Sequence, residues 1–120
     1  MVEYNDVQLT LTYMALADPT RRAILSRLRS GASRITELAA PFAMSLNAVS
    51  KHIRILERAG LVQRQVRGRD HYIALQAAPL RDASAWIDTY RTFWEERLDA
   101  LETFLHIWKQ AQGPPPFASS

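Results

Sequence analysis

Ser45-Leu46-Asn47-Ala48-Val49-Ser50-Lys51-His52-Ile53-Arg54-Ile55-Leu56-Glu57-Arg58-Ala59-Gly60 runs directly into Leu61-Val62-Gln63-Arg64-Gln65-Val66-Arg67-Gly68-Arg69-Asp70-His71-Tyr72-Ile73-Ala74-Leu75. The change of rhythm at Gly60 decides the fold. At 100° per residue, Leu46, Val49, Ile53 and Leu56 fall within about 80° of one another, the apolar stripe of an amphipathic helix. Ser45 is a natural N-cap and Gly60 a natural C-terminal stop, so a helix is expected from Leu46 to about Ala59. From Leu61 onward apolar and polar residues alternate, the period of a strand. Arg67-Gly68-Arg69-Asp70 is a turn, and His71 to Leu75 alternates again. A helix followed at once by a hairpin with a basic tip is the expectation.

Upstream, the pattern supplies three more helices. Val7, Leu9, Leu11, Met14, Ala15 and Leu16 give an apolar helix over about residues 6–17. Asp18-Pro19 opens a second, with Asp18 as cap and Pro19 in the first turn, where its missing N–H costs nothing. Ala23, Ile24, Leu25 and Leu28 give it a buried face, and Gly31 stops it. Ile35 to Ala40 reads as a short helix capped by Thr36, cut off by Pro41. Downstream, a long helix is expected from Pro79 to about Gln112, ended by Gly113-Pro114-Pro115-Pro116, with a disordered tail over 113–120. The order is α-α-α-α-β-β-α, mainly α with a small β-hairpin. This is a winged helix-turn-helix with the helix-turn-helix over about 36–60 and the wing over about 61–75. One domain over residues 1–112 is expected, since 120 residues suffice for one modest core.

Charge is distributed unevenly along this framework. The net charge is +3, yet residues 21–69 hold eleven basic residues against Glu37 and Glu57, a local +9, between two ends of −3 each. A basic block between mildly acidic ends is the footprint of a polyanion-binding middle. The face of the fourth helix opposite its apolar stripe collects Asn47, Ala48, Lys51, Arg54 and Arg58, with Ser50 at its edge and no acid among them. A helix fits the major groove, where amides and cationic forks pair with base edges. Residues near the start of such a helix point into the groove, which selects Asn47, Ser50 and Lys51 for bases. Arg54 can reach a base or a phosphate. Ser45 and the helix N-terminus suit phosphate. In the wing, Arg64, Arg67 and Arg69 suit the minor groove or the backbone. Arg22 and Thr36 are further candidate phosphate contacts. A solvated helix face and a charged edge strand are the plainer readings of the same residues. His52 falls beside the stripe as a half-buried packing residue, and Ile55, on the outer face, is placed beneath the wing.

Other functions fit less well. With no cysteine and three scattered histidines, neither a disulfide nor a transition-metal site is expected. No Gly-rich phosphate loop or credible carboxylate pair points to an enzyme, and no cofactor is implied. RNA binding would want aromatics among the cations, but nearly all the aromatics lie in the C-terminal helix. No apolar run approaches the roughly 18 residues that span a bilayer, and no secretory segment opens the chain, so a cytoplasmic location without membrane contact is expected. The alternative from another class is a winged-helix module that binds protein rather than DNA.

The last helix carries more large apolar residues than one core face requires. Paired with the first helix and with a second copy of both, it removes that area from water. The expected homodimer interface comprises Leu9, Tyr13, Trp86, Tyr90, Trp94, Leu98, Leu101, Phe104 and Leu105. A two-fold dimer presents two reading heads to a pseudo-palindromic double-stranded DNA operator.

Leu16-Ala17-Asp18-Pro19-Thr20-Arg21-Arg22-Ala23-Ile24-Leu25, Ile35-Thr36-Glu37-Leu38-Ala39 and the stretch from Met44 to Val62 resemble the ArsR-type family of bacterial repressors. The resemblance covers roughly residues 10–105. Phe93-Trp94-Glu95-Glu96-Arg97-Leu98 is similar to a metal-independent branch of that family. Asn47 departs from the Pro expected there and adds hydrogen-bonding capacity to the first turn. The resemblance implies a dimeric repressor acting on its own or a neighbouring promoter and released by a signal. Metal sensing does not carry over, because Leu38-Ala39-Ala40-Pro41 stands where metal-sensing relatives have a cysteine pair. A small-molecule effector, unidentified, is left open.

Overall fold

The computed structural model describes residues 6–112. The expected tail at 113–120 lies outside them. Among the described residues five helices and three strands follow in order: α1 (Asp6–Leu16), α2 (Pro19–Leu28), β1 (Ser33–Arg34), α3 (Ile35–Ala39), α4 (Leu46–Arg58), β2 (Val62–Arg67), β3 (Asp70–Leu75) and α5 (Ala78–Gln112). The chain divides within α5 into two compact units, residues 1–84 and 85–120.

In the first unit, Ile24, Leu28, Leu38, Val49, Ile53, Leu56, Leu61 and Ile73 are fully or almost fully enclosed and draw α2, α3, α4 and the sheet onto one core. Each such side chain contributes about 1.5–3 kcal/mol by leaving water. The stripe expected on α4 is confirmed at Val49, Ile53 and Leu56, but Leu46 is 47% exposed. It is the first residue of the helix, and side chains there lean back toward the N-terminus, past the end of the core.

Local chemistry sets the helix ends. The Asp18 carboxylate accepts from the Arg21 amide at 3.1 Å and Pro19 follows it, as expected. The Ser45 hydroxyl accepts from the Ala48 amide at 3.1 Å and starts α4. Thr36 is not the cap of α3. The helix begins one residue before it, and Arg34 occupies the cap position without a side-chain bond to the open helix amides, leaving Thr36 exposed in the first turn. At the far end of α4, Gly60 adopts φ +73°. Its amide donates to Glu57 O and that of Leu61 to Leu56 O, both at 2.9 Å, which closes a Schellman turn. An L side chain is disfavoured at that φ.

The wing is a three-stranded antiparallel sheet in the order β1-β3-β2. The two-residue strand β1 was not anticipated. Ser33 and Arg34 carry no alternation of their own and become a strand only by pairing with Ile73 and Tyr72. In β2 and β3 the register sets Arg64 opposite Ile73 and Val66 opposite His71, with Arg67 opposite Asp70 around the turn. Gly68 takes φ +63° there, and among the described residues no non-Gly residue is at positive φ, the sign pattern of a type II′ hairpin turn.

The second unit is the remainder of α5. From Trp86 onward its described residues are exposed, including Trp94 at 63% and Phe104 at 62%. Trp86 and Tyr90 meet edge to face, with ring centroids 5.2 Å apart. No helix among the described residues is long and apolar enough to cross a membrane.

Candidate nucleic-acid interface

The reading face of α4 is set by its two ends and by its neighbours. Ser45 fixes the first turn, and Gln8 on α1 donates to the Ala59 carbonyl at 2.6 Å, satisfying an otherwise open acceptor at the last turn. Between these anchors, Asn47, Lys51, Arg54 and Arg58 are exposed, while Ala48 and Ser50 are half-buried at the edge of the face. Among the described residues none of Lys51, Arg54, Arg58 and Arg69 has an ion-pair partner. Cations without internal partners keep their full charge available to a polyanion.

His52 is half-buried beside this face, as expected, and it is not idle. Its Nδ1 lies 3.2 Å from Arg21 Nη1 and 3.8 Å from Asp18 Oδ2. An arginine can only donate, so Nδ1 is the acceptor and carries no proton in this arrangement. The backbone amide of Arg21 is the main influence holding the Asp18 carboxyl below its ordinary pKa, and the Arg21 guanidinium charge adds to it. The start of α2 is thereby tied to the middle of α4.

Two of the nominated arginines donate to acceptors in other elements. Arg22 donates to the Leu16 carbonyl at 2.7 Å, and Arg21 donates to Ala15 O and Met14 O at 2.7 and 2.9 Å. The cation pair closes the C-terminal end of α1, where open carbonyls favour positive charge. Arg64 reaches the Glu57 carboxylate with Nη2 at 2.8 Å and Nε at 3.3 Å, and its Nη1 lies 3.0 Å from His71 Nδ1. Its side chain is 23% exposed. It shares a sheet face with Ile73, which is fully buried, so it points toward the body of the unit rather than outward. Ile55 likewise is not beneath the wing. It lines a groove with Leu11, Met14, Arg21 and Arg58 on the α1 side of α4.

Arg67 and Arg69 remain exposed at the hairpin tip. Arg67 lies over the Tyr72 ring at 5.0 Å, and Arg34 approaches the same ring at 5.7 Å while donating to the Tyr72 hydroxyl at 3.1 Å. That hydrogen bond, with Asp70 3.7 Å away, raises the guanidinium pKa of Arg34 above its ordinary value. Arg34 was not nominated from sequence. It meets Tyr72 across 38 positions, and that pairing exists only once β1 joins β3. Among the described residues no group of three or more His, Cys, Asp or Glu side chains is placed to hold a metal ion.

Comparison with known proteins agrees with this geometry. A helix-turn-helix domain model matches residues 16–65. The transcriptional repressor SdpR of Bacillus subtilis (strain 168) is 32% identical over 75 residues, which is 62% of this chain and 83% of that protein. A crystal structure of an ArsR family transcriptional regulator superposes with a TM-score of 0.72 at 40% identity, over 79% of this chain and 97% of the other. This chain belongs to the ArsR family of transcriptional regulators. The winged helix-turn-helix fold of the family extends to more distant structures. A homodimeric winged helix-turn-helix DNA-binding domain from Mycobacterium bovis, a possible ArsR-family regulator, has a TM-score of 0.56 at 24% identity, over 83% of this chain and 95% of that one.

Against the ArsR-family fold, what the sequence could not reveal is consistent in kind. Gln8, Arg21, Arg22 and Arg64 look like surface residues in the sequence. Each holds one element to another through a partner that is distant in the chain or turned by a corner. The one available signal is spacing: Glu57 and Arg64 flank the Gly60 corner, and that position permits a bond across it.

Proposed function

We propose that this chain is a DNA-binding transcriptional regulator that acts as a homodimeric repressor on a pseudo-palindromic operator at its own or a neighbouring promoter. The observation that carries the reading is the acid-free outer face of α4, with Asn47, Lys51 and Arg54 exposed on a helix anchored at both ends. Such a helix enters the major groove with its first turns against base edges. Asn47, Ser50 and Lys51 read bases, with Ala48 in apolar contact. Ser45, Arg54 and Thr36 lie along phosphates. Arg67 and Arg69 follow the backbone or minor groove beside them. Arg22 and Arg64 act through the protein rather than on the DNA.

The dimer follows from the second unit. A helix exposing Trp86, Tyr90, Trp94, Leu98, Leu101, Phe104 and Leu105 leaves an apolar strip larger than a soluble monomer ordinarily presents. A second copy covers it by two-fold pairing and spaces the reading heads by about 34–36 Å or a multiple, one turn of DNA. The homodimeric assembly of the M. bovis domain fits this reading. Under it, residues 1–112 act as a single functional domain.

The test is a salt-titrated gel shift on the DNA immediately upstream of the gene, with random DNA as competitor. Tight, salt-dependent binding that survives the competitor is expected. A shift no stronger than on random DNA, combined with salt-insensitive capture of a protein partner, would replace this reading with a protein-interaction module.

A further inference from the structure

Glu57 and Arg64 sit on either side of the corner between α4 and the wing. The backbone there consists of Ala59 and the turn at Gly60-Leu61, and β2 begins at Val62. The Glu57 carboxylate takes both Nε and Nη2 of Arg64, the two-pronged geometry that fixes orientation as well as distance. The third guanidinium nitrogen, Nη1, lies 3.0 Å from Nδ1 of His71 on β3. One planar group therefore touches the recognition helix and both long strands of the wing. Its partners are 29% exposed at Glu57 and half-buried at His71, so solvent weakens the contact less than at an open surface. Arg67, three positions further on, lies on the opposite sheet face and is exposed.

We propose that Glu57 and Arg64 form a clamp that sets the angle of the wing against the recognition helix. Arg64 is thus a positioning residue for DNA binding rather than a phosphate contact. The inference rests on the DNA-binding reading above. It has a consequence that simple electrostatics does not share. Glu57 is an acid close to a polyanion-binding face, so removing its charge should tighten binding if charge alone matters. If the clamp matters, removing that charge weakens binding, because Arg67 and Arg69 are then no longer held in register with Lys51 and Arg54.

Two measurements on the full-length protein decide it. Amide hydrogen exchange without DNA compares wild type with Glu57→Gln, Arg64→Gln and the double variant. Exchange over residues 62–75 should accelerate to a similar degree in all three, and not in a Lys51→Ala control. Gel shifts on the upstream DNA, at temperatures where thermal melts show every variant folded, should find Glu57→Gln and Arg64→Gln each weakened roughly tenfold, the scale of one charge-assisted hydrogen bond. The double variant should be no weaker than either single one. Unchanged exchange in the wing, tighter binding by Glu57→Gln, or additive losses in the double variant would each overturn the clamp. A wild-type chain that fails to bind DNA overturns the DNA-binding reading and this inference together. Wild-type binding with an unaffected Glu57→Gln overturns the inference alone.

Discussion

The Tyr13 hydroxyl donates to the Ala83 carbonyl oxygen at 2.7 Å and so joins α1 to the start of α5 across 70 positions of sequence. Burial raises the pKa of this phenol above its ordinary value of 10, in keeping with a hydroxyl held in its donating form. Tyr13 was nominated for the dimer interface, and the structure gives it work within one chain. Tyr13→Phe keeps the ring and deletes the bond. It is expected to cost about 1 kcal/mol and lower the thermal midpoint by a few degrees, with DNA affinity retained. Calorimetry alongside a gel shift measures both.

Asp18 offers a test in pH. Its folded-state pKa lies below the ordinary 3.8, chiefly through the Arg21 amide. A carboxyl shifted in that direction contributes stability that is present above its unfolded value and is lost as the pH falls through the folded one. Asp18→Asn keeps a cap acceptor but cannot titrate. Its thermal midpoint should therefore fall less steeply than that of wild type as the pH drops below 3.8. Parallel melts from neutral to strongly acidic buffer give the comparison, and identical slopes would remove Asp18 from the acid transition.

Lys51 is exposed in the second turn of α4 and has no ion-pair partner among the described residues. Lys51→Ala should cost roughly 1–3 kcal/mol on the cognate operator and much less on random DNA, as expected for a residue that reads a base. Equal losses on both would reassign it to the backbone.

Arg67 and Arg69 should behave differently. Replacing both with Gln is expected to weaken binding on every sequence and to flatten the dependence of log affinity on log salt by up to about two units. A salt titration of the double variant against wild type measures this directly. An unaltered slope would take the wing tip out of the interface.

Trp94 and Leu101 lie exposed on α5 at 63% and 51%. Changing both to Asp places charge where the proposed dimer buries apolar surface. Sedimentation equilibrium should then find monomers, with operator affinity reduced because two half-sites are no longer bound together. A dimer that survives both changes would move the interface elsewhere.

The helices were legible because their signals are local. Asp18 before Pro19, Ser45 before Leu46 and Gly60 after Ala59 act on backbone groups a few residues away, and the 3.6-residue period of Val49, Ile53 and Leu56 belongs to the helix itself. The hairpin was legible for the same reason, since Gly68 turns its own two neighbours. Thr36 misled because Ser, Thr, Asp and Asn are preferred caps statistically, and the pairing of Ser33 and Arg34 with β3 moved the start of α3 one residue earlier.

The division at the candidate site is sharper. The sequence by itself determined the residue types that a DNA-reading face needs, and their position on one side of α4. An amphipathic period fixes which side chains face away from a core before the core exists. The tertiary structure alone decided which cations of the basic block remain available. Lys51, Arg54 and Arg69 stay exposed with no protein acceptor among the described residues, and Arg67 stays exposed beside Gln65 and Tyr72, while Arg22 and Arg64 donate to Leu16 O and Glu57 in other elements. In sequence all of these are cations in one basic block. A guanidinium is claimed by whichever acceptor lies within about 3 Å, and that neighbour is known only once the corner at Gly60 and the end of α1 have been built.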